Sequence, residues 1–124
     1  MTLLTLRAYL QLCSFELQIS RRDFASLYRK VRTRAIRPVA AHPDVCALVC
    51  AAIDRACAFY FKEVQCLQRS AATVCLLRDL GMGANLVIGA QHLPFRAHAW
   101  VEVDGKVVND QVDAANNYPV LDRC

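Results

Sequence analysis

The chain lacks any apolar run long enough to cross a bilayer. Such a span takes about 20 residues, and the longest candidate, Val45 to Ile53, is stopped by Asp54. It also lacks a recognisable secretion signal. Met1 to Cys13 is apolar, but Arg7 interrupts it and no small-residue cleavage site follows, so the segment reads as a folded helix. A cytoplasmic protein with no membrane contact is expected. No Cys-x-x-Cys pair occurs among the seven cysteines. The one close Cys/His neighbourhood, His42 and Cys46 around Pro43, has no second pair to complete a site, so neither metal nor cofactor is expected. Internal repeats, low-complexity tracts and linkers are missing too. With the chain's length, that predicts one domain over residues 1–124, with a helical subregion at 1–62 and the remainder at 63–124.

What is present is apolar and rich in thiols. Hydrophobic residues make up 56% of the chain, above the soluble average, which suits a large helical core or a face buried on a partner. Seven cysteines without a secretion signal argue against a disulfide framework and for small buried hydrophobes. Cys46, Cys50 and Cys57 have core-like helical spacing. The net charge of +4 is local in origin: Arg21, Arg22, Arg29, Lys30, Arg32, Arg34 and Arg37 face one acid, Asp23. The stretch reads first as a solvated helix face, and second as a docking strip for an acidic peptide or partner protein. Nucleic acid is not expected, because Phe24 and Tyr28 within the strip sit at helical core spacing.

The apolar pattern predicts a first helix running to about Leu17. Ser20 to Asp23 gives a Ser-x-x-Asp start for a second, which ends before Pro38. A third runs from Asp44 to Phe61, and a fourth from Cys66 to Gly81, a residue suited to a left-handed cap. Strands follow at Ala84 to Gly89, Phe95 to Val103 and Lys106 to Asp110. The tail from Gln111 to Cys124 reads as mostly irregular. Helices first and an antiparallel meander after make the fold class α+β.

One thiol, one imidazole and one carboxylate stand out. The fourth helix is apolar nearly all round in its middle, so it is a buried central helix. Cys66 lies at its first turn, where unpaired N–H groups and the macrodipole stabilise an anion. Cys75 lies mid-helix between Val74 and Leu76 and reads as core. His98 shares a strand face with Trp100, which reads as core or as the wall of a substrate pocket. His92 and His42 lie in loops and receive no role. A thiol needs a base, and the base works best when a third group orients it. The turn at Asp104-Gly105 decides that third group. A two-residue turn sets Asn109 facing Trp100, on the His98 side, and points Asp110 away. A three-residue loop sets Asp110 opposite His98, with Cβ atoms about 5 Å apart. Both turns suit Gly105, and both leave a working triad.

From Cys66 onward the text resembles a known family. Cys66-Leu67-Gln68-Arg69-Ser70, Leu76-Leu77-Arg78-Asp79-Leu80-Gly81, Leu86-Val87-Ile88-Gly89 and Pro94 to Glu102 look like the transglutaminase-like leader peptidases of lasso peptide biosynthesis. The resemblance is strong over Cys66 to Asp110 and loose over the N-terminal helices. It implies a papain-like core with Cys66 as nucleophile, His98 as base and Asp110 as orienting carboxylate, and so favours the three-residue loop. It implies the stand-alone protease form, acting on a leader–core precursor peptide held by a separate leader-recognition protein. A separate ATP-dependent macrolactam cyclase would use the released core amine. The rival readings are an acyltransferase that resolves the same Cys66 thioester with an amine, and a non-catalytic peptide-binding scaffold in which the basic strip carries the function.

Overall fold

The structure, a computed structural model, describes residues 2–92, 95–109 and 118–124. In them four helices precede four strands: α1 Leu3–Ser20, α2 Phe24–Arg32, α3 Val45–Phe59, α4 Cys66–Asp79, β1 Ala84–His92, β2 Phe95–Val103, β3 Lys106–Val107 and β4 Val120–Arg123. The fold is α+β, as the pattern predicts. The strands form one antiparallel sheet in the order β3-β2-β1-β4.

The helix boundaries follow from local chemistry, with one correction. The Thr2 hydroxyl accepts from the Thr5 amide and opens α1. Ser20, expected to cap α2, is instead the last residue of α1 and donates to the Glu16 carboxylate. The apolar ladder of α1 continues to buried Ile19, which carries the helix past Leu17 and leaves Asp23 to cap α2 through the Ser26 amide. At the far end of α4 the expected glycine cap is present. Gly81 has φ +90°, the Gly81 amide donates to the Arg78 carbonyl and the Met82 amide to that of Leu77, a Schellman closure. A Cβ at Gly81 would lie 2.2 Å from the Val39 carbonyl oxygen, so the loop before α3 closes over a residue that must be glycine.

α4 occupies the centre. It packs on α1, α2 and α3 on one side and on β1 and β2 on the other, and every residue from Ser70 to Arg78 is buried. Leu12, Phe15, Leu27, Val31, Val49 and Ile53 close over it from the helices, and Leu86, Ala99, Val101 and Val103 from the sheet. The opposite sheet face carries a smaller cluster of Val87 and Trp100, with Val107, Tyr118 and Val120 against it. α1 is apolar on its outer side as well: Leu3, Leu6, Leu10 and Leu17 are exposed.

The sheet departs from expectation in three places, the first being β1, which runs on to His92 rather than ending at Gly89 and so takes His92 out of a loop. Val103 pairs directly with Lys106 and Glu102 with Val107, so the hairpin has a two-residue turn; the three-residue loop favoured by the family resemblance is not formed. Asp104 and Gly105 take φ +53° and +77°, the left-handed pair of a type I′ turn, which matches the natural twist of the strands. β3 is then only two residues long rather than reaching Asp110. The Val108 amide still donates to the Val101 carbonyl, but the Val101 amide donates to the side-chain oxygen of Asn109 instead of to backbone. Asp110 itself lies outside the described residues. The tail, expected to be mostly irregular, returns as β4 on the free edge of β1, where Leu86 and Cys124 exchange both backbone hydrogen bonds at 2.8 Å.

Candidate active site

Cys66 is the first residue of α4, and Gln65 caps the helix without a side-chain hydrogen bond. The first intrahelical bond in this turn runs from the Arg69 amide to the Gln65 carbonyl, at 3.0 Å. The amides of Cys66, Leu67 and Gln68 therefore point out of the helix start with no acceptor in the turn before them. Cys66 is exposed there. Cys75 is buried mid-helix, and burial pushes its thiol up to about 11, against the pull of Arg34 and Arg78. Burial also raises the thiols of Cys46, Cys50, Cys57 and Cys124. Cys13 is exposed on α1.

His98 lies on β2 opposite Gly89 of β1 and is half-buried. Its ring lies 6.0 Å from that of Trp100, at 30° between planes, and 5.3 Å from that of Tyr118. Gly89 makes room for these rings. A Cβ there would fall 2.6 Å from the Trp100 ring and 2.8 Å from the Tyr118 Cβ. Trp100, read from sequence as core or as a substrate-pocket wall, has no exposed surface. Its indole N–H donates to Glu102 at 3.0 Å, and the second Glu102 oxygen accepts from Arg123 at 3.4 Å. Trp100 therefore backs the His98 ring from the interior.

Cys66 and His98 line one cleft of about 240 Å³, together with Val64, Arg69, Ser70, Ala99 and Asn109. A second cleft of about 380 Å³ shares Cys66, His98 and Ala99 and extends in another direction. The structure thus brings together two of the three residues singled out from sequence; Asp110, the third, falls among the residues not described. Asn109, its rival, is engaged elsewhere. Its Oδ1 accepts from the Val101 amide at 2.8 Å, and its Nδ2 donates to the Ser70 hydroxyl at 3.1 Å. The Ser70 hydroxyl in turn donates to the Ala99 carbonyl at 3.2 Å. Ser70 and Asn109 therefore tie α4, one turn after Cys66, to the β2 backbone beside His98. Sequence reasoning gave Ser70 no such role. The signal was its spacing, four residues after Cys66 and so on the same helix face.

Of the basic strip, two members serve the fold. Arg34 forms a bidentate pair with Asp79, at 2.9 and 2.7 Å, and Lys30 lies 4.4 Å above the Phe15 ring. Arg21, Arg22, Arg29, Arg32 and Arg37 are exposed. Arg69 pairs with Asp54 of α3 at the side of the cleft. His42 sits exposed in its loop, accepting from the Asp44 amide. No described helix is long and apolar enough to cross a membrane.

An exposed thiol at a helix start and a strand-borne imidazole thus line one cleft of an α+β domain. The chain belongs to the transglutaminase-like superfamily, whose family model matches residues 9–123. Over 56 residues it is 39% identical to the microcin J25-processing protein McjB of Escherichia coli. That match covers 45% of this chain and 27% of McjB, so it spans about a quarter of the relative's length. No solved structure matches the chain.

Proposed function

We propose that this chain is a cysteine peptidase that removes the leader from a lasso peptide precursor. The observation that carries the reading is the shared cleft of Cys66 and His98 at the start of α4. The similarity to a microcin-processing protein supports the substrate class. In this reading residues 1–124 act as one catalytic domain in the cytoplasm, and a separate protein holds the leader.

The Cys66 thiolate attacks the carbonyl at the leader–core junction. The oxygen of the tetrahedral intermediate lies against amides at the start of α4. His98 gives its proton to the departing core amine, which leaves with an intact N-terminus, and the leader remains as a thioester on Cys66. His98 then takes a proton from water, the hydroxide attacks the thioester, and the leader leaves as a carboxylic acid. Asp110 is the proposed orienting carboxylate. The two-residue turn by itself would favour Asn109, but ladder pairing stops at Val107 and the Asn109 amide is committed to Val101 and Ser70, which supports Asp110. The freed core amine suits an ATP-dependent macrolactam cyclase as the next enzyme. The exposed leucines of α1 support a protein partner, since apolar faces of this kind are usually covered.

The test is cleavage of a leader-bearing precursor in the presence of the leader-binding protein, read by mass spectrometry. Cys66→Ala should abolish cleavage, whereas Cys75→Ala should retain most of it. Cleavage by the Cys66 variant would overturn the assignment. A leader amide in place of a leader acid would replace hydrolysis with acyl transfer.

A further inference from the structure

The two clefts that meet at Cys66 differ in chemistry. The first is polar, with Arg69, Ser70 and Asn109 in its wall. The second, beyond the shared Cys66, His98 and Ala99, is walled mainly by Phe24, Tyr28, Leu67, Ile88, Ala97 and Leu121, with Gln65 as its one further polar side chain. Five elements converge to make that wall: α2, α4, β1, β2 and β4. Phe24 is 41% exposed and Leu121 is 61% exposed, so the cleft presents apolar surface to solvent. A cleft of about 380 Å³ has room for a large side chain.

We propose that this apolar cleft is a specificity pocket that seats a branched or aromatic side chain of the peptide next to the carbonyl that Cys66 attacks. The proposal rests on the reading of Cys66 as the reacting thiol. The occupant follows from continuity: any peptide whose carbonyl reaches Cys66 between α4 and β2 passes a polar wall on one side and this hydrocarbon wall on the other. A side chain leaving water for such a wall gains about 25 cal/mol per Å² buried, so the pocket sorts apolar from polar neighbours of the scissile bond. Phe24 and Leu121 then act by touching substrate, while Ala97 sets the depth by being small.

The test uses the full chain and two thiol reagents, 2-chloroacetamide and N-phenethyl-2-chloroacetamide, with the site and rate of alkylation read by peptide mass mapping. Cys13, which is exposed but lines neither cleft at Cys66, is the internal reference. The phenethyl reagent should label Cys66 roughly tenfold faster than the small one, in line with the selectivity of apolar pockets, and should saturate, while the two reagents label Cys13 at similar rates. Phe24→Ala, which thins the wall, and Ala97→Phe, which fills the cleft, should each pull the Cys66 ratio toward the Cys13 value. Equal ratios at Cys66 and Cys13 in the unaltered protein would overturn the pocket, as would a ratio that neither variant moves. If both reagents label Cys66 slowly but their ratio stays high, the pocket stands and the peptidase reading falls.

Discussion

The two ends of α4 are built to opposite rules. At the N-terminal end Cys66 is exposed, no side chain caps the helix, and the first amides have no acceptor within it. At the C-terminal end Arg78 is 7% exposed and its guanidinium donates to four backbone carbonyls: Ala84 at 2.9 Å, Val31 at 2.5 Å, Arg34 at 3.3 Å and Cys124 at 3.1 Å. Gly81 closes the helix in a Schellman turn, and Asp79 pairs with Arg34. A cation here also suits the negative end of the helix macrodipole. The difference teaches where the fold spends its polar groups. The end that fixes the helix is saturated with partners. The end assigned to chemistry keeps its donors open, because a donor already bonded to protein cannot meet a developing oxyanion.

The strongest way to break this comparison is to make the two ends cost the same. Arg78→Met keeps an apolar stem but orphans several buried carbonyls, each worth about 1–3 kcal/mol when left unpaired. Its unfolding free energy should fall by about 3 kcal/mol or more, read from urea midpoints. Arg78→Lys keeps the charge but loses the planar fork, and should fall between. Cys66→Ala, at an exposed helix start, should change stability by about 0.5 kcal/mol or less. A Cys66 variant as unstable as Arg78→Met would erase the distinction between an anchored end and an open one.

The anchored end was more legible in the sequence than the open one. Gly81 after a continuous apolar helix is a local signal, and the helix ended there. The position of Cys66 at the start of that helix and of His98 on an alternating strand were local readings as well. What failed had no decisive local signal. The hairpin register turned on whether Asp104 would take a left-handed conformation, which Asp tolerates and sequence alone does not demand. β4 has four residues behind Pro119, with no alternation strong enough to mark it, and it becomes a strand because the edge of β1 is there to receive it. Trp100 read equally as core or as pocket wall until the packing of Val87, Tyr118 and Val120 placed it inside. The apolar cleft draws on five elements, so no single stretch announces it.

A smaller effect tests how the open end is kept in register with the sheet. Ser70 and Asn109 form the described side-chain bridge from α4 to β2 and the chain after β3. Asn109→Ala should cost about 1–2 kcal/mol, because the half-buried bridge loses a backbone donor's acceptor. A double-mutant cycle with Ser70→Ala should give a coupling of about 0.5 kcal/mol or more, since the two groups share one hydrogen bond. The same variants sharpen the third-member question. If Asp110 orients His98, the pH profile for alkylation of Cys66 should move more in Asp110→Ala than in Asn109→Ala. The reverse order would return Asn109 to the triad.

A pH-dependent effect tests what lies beneath the open end. Gln68, two residues after Cys66, is fully buried and donates to the Leu12 carbonyl at 3.0 Å and to Glu16 at 3.3 Å. Glu16 also accepts from Tyr60 at 2.7 Å, from Ser20 at 2.7 Å and from Lys62 at 2.5 Å. Partial burial works against its charge, but the hydrogen bonds from Lys62, Tyr60, Ser20 and Gln68 prevail and hold the carboxyl down to about 2. The ordinary value is 4.5, so below that pH the unfolded chain takes up a proton that the folded chain resists. Stability from this group is therefore present at neutral pH and is lost as pH falls from about 4.5 toward about 2. Glu16→Gln should be the less stable protein at pH 7 and should show a shallower acid loss, with the two urea midpoints drawing together near pH 2. Parallel midpoints across pH 7, 4 and 3 would mean that the ionised form of Glu16 does not hold the buried side of α4 at its reactive end.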